Sequence, residues 1–421
     1  MLIWKRIMTH SNGTRTAEKL LIKRLKVSGL LSFGPTGIDL PMRGLNVLIG
    51  ANGSGKSNFI EVIGLLHALP KGLPRPDRGL GSLREWMWKG DPSKGIPSAT
   101  EAVISAVITG SPKRPDLRHE IGICLSDAWF GISHELIQDE KGRGSSQRPV
   151  KHYGFSARGK PTLYDPKRQT SPVRAKHVHS DESILAQVKD PDHYPALARL
   201  QEGYQSMRLY RDWSFGPTSP QRLEQDLGGN SEFLENRGRN LALVFKDINN
   251  RILRAGSVDD WKVWIDKIYA GIDKVSTVTN SMNGQGTVQL IMVEDGARLI
   301  GAQHLSDGTL RYLSLLAILL HPKPPELLVI EEPELGLHPD LIHIVADLLK
   351  QASKRTQLIV TTHSRGLVEA LGDQPESIVV CEKYDGQSTF ERLDGARMKH
   401  WLDRYNLGEL WSSGELGGNR W

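Results

Sequence analysis

The chain has 421 residues, 38% hydrophobic and 24% charged, enough to bury a substantial core in one large or two closely joined domains. The longest apolar run, LSLLAILL at 313–320, is too short to cross a bilayer, and the N-terminal MLIWKRIMTH lacks the apolar core of a signal peptide; a cytoplasmic protein with no membrane partner is expected. Two cysteines, Cys124 and Cys381, are too few for a disulfide framework or a cysteine zinc site.

Residues 20–70 read as a strand (KLLIKRLKV), a second strand (GLNVLIG), a Gly-rich turn and an amphipathic helix (NFIEVIGLLHAL). The turn, GANGSGKS, matches G-x-x-x-x-G-K-[ST], and the flanking strand and helix are the context that motif requires. Gly50, Gly53 and Gly55 let successive backbone N–H groups curl around a β-phosphate, with Asn52, Ser54 and Asn58 completing the phosphate-binding set. Lys56 reaches the β- and γ-phosphates, and the Ser57 hydroxyl ligates Mg²⁺. ATP and Mg²⁺ are the predicted cofactors.

From about 98 to 180 the pattern becomes short alternating runs, ATEAVISAVIT, HEIGICLS and WFGISHELI, which predict antiparallel strands. Lys141–Ser180 carries ten Lys or Arg against one acid, Asp165, so this stretch is +9 and the remainder, from a total of +6, is −3. Two readings stay open for it: a long loop or pair of hairpins seated on nucleic-acid phosphates through Lys151, Arg158, Lys160, Lys167 and Arg168, or a solvated insertion.

Residues 181–300 mix helical patterns, DESILAQV and WKVWIDKIYA, with a hairpin-like TVQLIMVEDGARLI. After 305 the order is helix (TLRYLSLLAILL), strand (ELLVIEE), helix (DLIHIVADLLKQAS), strand (TQLIVTTHS), helix and strand (ESIVVCEK). Alternating helices and continuous apolar strands predict a parallel sheet covered on both faces. One strand ends in two adjacent carboxylates, which repel and lose hydration unless a cation or proton relay uses them. Beside a phosphate loop, Glu331 is expected to join the metal shell and Glu332 to act as general base or to position water. LSDGTLR opens a helix with Ser306, Asp307 and Gly308, donors for a γ-phosphate, and TTHS places His363 where it can contact that phosphate or the attacking water.

The order GANGSGKS, LSDGTLR, LLVIEEPE, TTHS resembles the Walker A, signature, Walker B and switch-histidine set of ABC-type ATPase heads. LNVLIGANGSGKSN and IEEPELGLHP resemble the branch that contains RecF, SMC-like heads and OLD-family ATPases. FLENRGRNLALVF and LGELWSSGELGGNRW are similar to stand-alone bacterial ATPases, some of which accompany toxin or nuclease partners in phage defence. The resemblance implies an α/β P-loop head: a mainly parallel sheet flanked by helices, an antiparallel β lobe and a helical, basic insertion. It further implies an ATP-sandwich homodimer in which Ser306, Asp307 and Gly308 of one subunit cover the nucleotide at Lys56 of the other, with Ser32 and Phe33 on the nucleoside side. The expected divisions are 20–140 (first half of the head), 141–180 (basic insertion), 181–300 (helical insertion and return hairpin), 301–392 (second half) and 393–421 (Trp-rich tail).

Departures from the pattern also inform. Glu331 replaces the usual Asp, as in OLD-like relatives, and no metal-contacting Gln follows Walker A closely, since the first Gln after Ser57 is Gln138. No heptad array of the SMC type occurs, and the residues after His363 hold no acidic cluster for a nuclease. An ATPase without its own nuclease is expected, either a switch controlling a separately encoded nuclease or toxin or a RecF-like DNA clamp in repair. The tail, with Trp401, Trp411 and Trp421, either packs on its own head or docks a partner.

Overall fold

Two five-residue strands, β3 (Leu45–Ile49) and β16 (Gln357–Thr361), have every side chain buried, the signature of a sheet covered on both faces. In the computed structural model, the described residues are 19–73, 85–91, 94–111, 114–125, 130–142, 148–156, 159–164, 173–174, 178–179, 181–255, 274–282, 285–294 and 298–418. The central sheet runs β10 (Arg208–Tyr210), β15 (Leu327–Glu331), β16, β3, β17 (Ile378–Tyr384), β18 (Gln387–Arg392). All neighbours are parallel except β17 and β18, which form a hairpin.

Alternate residues of these strands enter two cores, as the two-residue period of a strand requires. Leu48, Val329, Ile359 and Val379 pack with α1 (Lys56–Ala68) and the antiparallel lobe. Val47, Ile330, Val360 and Val380 pack on the other face with α4 (Leu241–Ala255), α5 (Asp307–Leu319), α6 (Asp340–Ala352) and α7 (Arg365–Ala370).

The antiparallel lobe is one eight-stranded sheet, ordered β2 (Ile38–Pro41), β1 (Ile22–Ser28), β4 (Glu101–Ile108), β5 (Leu117–Leu125), β6 (Phe130–Asp139), β7 (Lys151–Ser156), β8 (Thr162–Leu163), β9 (Val173–Arg174). It does not stop at residue 140: the basic stretch supplies its last three strands, because alternation in KHYGFS buries Tyr153 against the lobe while Lys151 faces solvent. Lys160 is exposed between β7 and β8, and Arg158, Lys167 and Arg168 lie outside the described residues.

Between the lobe and the second half of the sheet come α2 (Ile184–Gln187) and α3 (Pro195–Ser206), then β10, a three-residue strand too short to show a period. A four-stranded antiparallel sheet follows, with β11 (Gln225–Asp226), β12 (Lys274–Met282), β13 (Gln285–Glu294) and β14 (Arg298–Gly301); the expected return hairpin is β13–β14. The pattern WKVWIDKIYA falls outside the described residues. After β18, α8 (Gly395–Leu402) and α9 (Leu407–Ser412) carry the chain back onto the head. Leu407, Leu410 and Trp411 are buried, whereas Trp401 is exposed beside Tyr405, so packing on the head prevails for this part of the tail; Trp421 lies outside the described residues. Among the described residues, no helix is long and apolar enough to cross a membrane.

Candidate nucleotide site

The Gly-rich turn sits where β3 meets α1. Gly50, Gly53 and Gly55 all have positive φ. A β-carbon on Gly50 would lie 2.2 Å from the Cys381 carbonyl oxygen, and one on Gly55 2.2 Å from Ser388 Oγ, so side chains are excluded sterically as well as by conformation. Lys56 is buried and its ammonium donates to the carbonyls of Gly50 (2.7 Å) and Ala51 (3.0 Å). Burial pulls its pKa down, opposed by the Cys381 and Glu332 side chains. Asn52, Gly53 and Ser57 are exposed, Asn58 is half-buried, and Gly55 caps α1 without any side-chain hydrogen bond. A helix start whose first N–H groups meet no capping side chain, beside a lysine and glycines that clear the approach, fits a phosphate group.

The two acidic residues at the end of β15 are held by two arginines that sequence reasoning missed, one on the Glu331 carboxylate and one on the Glu332 backbone carbonyl. Arg211, just past β10, donates from Nε to Glu331 Oε2 (3.0 Å) and from Nη1 to Glu61 Oε1 on α1 (2.8 Å). Trp213 Nε1 donates to the Glu331 carbonyl at 2.8 Å. Glu332 adopts a left-handed backbone, φ 46°, unusual for a non-glycine residue, while its N–H donates to Thr361 O at 3.0 Å. Its carbonyl accepts from Arg311 Nη2, and Arg311 lies 4.7 Å over the Trp213 ring and 5.8 Å from that of Phe215. Burial lowers the Arg311 pKa to about 10, so the group stays charged at neutral pH.

His363 Nε2 lies 3.8 Å from Glu332 Oε1. Burial first, then the Lys56 charge, lowers the imidazole pKa, with Glu332 opposing, so Lys56, Glu332 and His363 form one electrostatic cluster. Glu334 is partly buried: Oε1 accepts from Thr362 Oγ1 (2.6 Å) and His363 N (3.1 Å), burial raises its pKa, and its charge acts on Arg311.

Ser306 caps α5, accepting from Thr309 N at 3.0 Å, and is exposed. Asp307 pairs at 2.5 Å with the buried Arg222, which also donates to the carbonyls of Gly216, Ala302 and Leu305. A β-carbon on Gly308 would lie 2.8 Å from Gly336 O, so the signature turn rests on the loop that follows Glu332.

A family model described as "AAA domain, putative AbiEii toxin, Type IV TA system" matches residues 45–369, from the first residue of β3 through most of α7 and over more than half of the chain. The chain belongs to this family. The matched AAA domain has the fold of an ABC-type head here. No curated protein matches the chain. Among solved structures, an SMC head bound to the C-terminal winged-helix domain of ScpA superposes with a TM-score of 0.54 at 15% identity, over 90% of this chain and 99% of that one. An SMC head with an extended coiled coil, bound to the C-terminal domain of ScpA from Pyrococcus furiosus, gives 0.50 at 16% identity, over 91% and 98%. At such identities the likeness is one of fold.

In this family member two expected nucleoside contacts are placed differently. Phe33 is fully buried, edge-on to Phe390 at 5.6 Å, so its ring belongs to the core and is closed to a ligand. Ser32 is buried too: it accepts from Ser388 Oγ at 2.7 Å and backs the phosphate loop at Gly55. Gln138 lies on β6, opposite Arg118 and Lys151 in the antiparallel lobe. Beside the phosphate loop, a cavity of about 410 Å³ is lined by Asn52, Gly53, Glu382, Tyr384 and, from the tail, Gly418, a neighbour no sequence period could reveal.

Proposed function

We propose that this chain binds ATP with Mg²⁺ at Gly50–Asn58 and hydrolyses it. ATP-dependent pairing of two copies then acts as a switch on a separately encoded effector, a nuclease or toxin, in bacterial anti-phage defence. The observation that carries this reading is the cluster of Lys56, Glu332 and His363 at the ends of the adjacent strands β3, β15 and β16, with Glu331 and Ser57 nearby in the chain. Lys56 leaves its loop carbonyls to neutralise phosphate charge, and Ser57 and Glu331 hold the metal, which supplies charge stabilisation when bound. Glu332 takes the proton of the attacking water, and neutral His363 orients that water. Exposed Ser306 and the Asp307–Arg222 pair cover the partner copy's nucleotide.

The test is a pair of substitutions. Lys56→Ala abolishes nucleotide binding, whereas Glu332→Gln binds ATP, accumulates as the paired form and loses turnover by about 10²–10⁴-fold. Glu332→Gln that hydrolyses ATP at the wild-type rate would remove the proposed base. Effector control is tested by phage plating with the neighbouring gene present or deleted; protection that survives the deletion refutes it. A second reading, a RecF-like DNA clamp in repair, is favoured by exposed Lys151 on β7 and exposed Lys160 in the connection from β7 to β8. It requires ATP-dependent duplex binding whose salt slope flattens by about one for each lysine replaced.

A further inference from the structure

The last described residues of the tail do not trail into solvent. Beyond α9 the chain turns through Gly417 and Gly418, with φ of 74° and 73°, and Gly418 is buried. The Gly418 N–H donates to Glu382 Oε1 at 2.8 Å, and the other oxygen of that carboxylate accepts from Tyr384 at 3.0 Å. A β-carbon on Gly417 would stand 2.7 Å from Glu382 Oε1, and one on Gly418 3.2 Å from both Gly50 Cα and Val380 Cγ1. The close approach is to the first glycine of the phosphate loop.

Gly50 is thereby confined between two backbones. Cys381 O closes one side, Gly418 another, and the carbonyl of Gly50 is the acceptor that holds Lys56. The base behind the turn is firm: Asn406 and Glu409 make a reciprocal cap on α9, and Leu407 and Trp411 are buried in the core beneath the sheet. We propose that Gly418, held by Glu382, is a positioning residue for the phosphate loop, so that the C-terminal tail sets nucleotide affinity. This rests on the reading that Gly50–Asn58 binds ATP.

The experiment compares one substitution at two glycines. Asn tolerates positive φ, so Gly418→Asn adds a side chain with little conformational strain. Gly95, in the turn between Asp91 and Ile96 at φ 69°, has open space where its β-carbon would go, so Gly95→Asn controls for that strain. Full-length variants are measured by calorimetric titration with ATP and by thermal melting. The expected result is a Kd raised about tenfold or more for Gly418→Asn and unchanged within about twofold for Gly95→Asn, with melting temperatures within about 2 °C of each other. Should Gly418→Asn fail to fold, Glu382→Ala removes the acceptor and weakens ATP in the same way, while Glu382→Gln, which keeps an oxygen, restores it. Wild-type affinity in Gly418→Asn or in Glu382→Ala, or equal weakening in both Asn variants, overturns the proposal. A wild-type chain that binds no ATP would overturn the nucleotide reading itself.

Discussion

Replacing Arg311 with Met should separate stability from turnover. The guanidinium loses a charged hydrogen bond to the Glu332 carbonyl, worth about 1.5–3 kcal/mol, and a desolvated cation–π contact with Trp213, worth about 2 kcal/mol. Against that stands relief from burying the charge. A pKa lowered from 12.5 to about 10 disfavours the charged form by roughly 3.5 kcal/mol, at about 1.4 kcal/mol per tenfold. The remainder is a loss of about 0–1.5 kcal/mol. For 421 residues at about 2.1 cal/mol/K each, the unfolding entropy is about 0.9 kcal/mol/K, so melting falls by at most about 2 °C. Turnover should fall much further, by about 10–100-fold, because Arg311 holds the left-handed turn that aims Glu332, and a displacement of about 1 Å costs on that order. Nucleotide affinity should stay within a few-fold, since Lys56 and its loop are untouched. Steady-state Mg-ATPase assays, ATP titration and melting curves on the same preparation make the comparison. Turnover within about twofold of wild type, with the small change in melting intact, would refute the positioning argument.

Ser306→Arg should block ATP-dependent pairing while sparing ATP affinity, and mixing it with Lys56→Ala should restore partial turnover through one intact composite site; an active, strictly monomeric enzyme in sedimentation would contradict this. The His363 pKa lies below its unfolded value of 6.5, so on acidification the unfolded chain takes up the proton first, and this group's contribution to stability falls as pH drops through 6.5. The acid limb of turnover should accordingly have a midpoint below 6.5 and vanish in His363→Gln; an unchanged profile counts against the histidine. Trp411→Ala, which empties a buried site at the base of the tail, should cost about 3–5 kcal/mol, a melting drop of roughly 4 °C or more, and a shift under about 1 °C would mean the tail is not part of the core.

The parts of this molecule that read clearly from sequence are those whose physics is local. β3, β15 and β16 are continuous apolar runs because both faces are covered, and the glycines of GANGSGKS answer to a turn that leaves no room for a β-carbon. The arginines did not read, because their meaning lies in distant partners: Arg211 meets Glu331 across 120 residues, and Arg222 meets Asp307 across 85. Phe33 came to the nucleoside side by resemblance alone, and its burial depends on β18, which brings Phe390 against it from far along the chain. The basic stretch read as a long loop, a pair of hairpins or a solvated insertion, and its antiparallel strands β7, β8 and β9 agree with hairpins; what charge could not tell is that Tyr153 is the buried anchor.

The position of β3 in the sheet also constrains how the molecule can be made. Its two neighbours arrive more than 300 residues later: Leu45 pairs in register with Leu358, and Val47 with Ile378. A nascent chain that has just exposed GANGSGKS therefore has no surface on which to shape it, and closing so long a loop is slow. The turn takes its shape only after β16 and β17 have followed it out of the ribosome, so a chain cut short anywhere before β17 is denied that shape altogether rather than left with a weakened one.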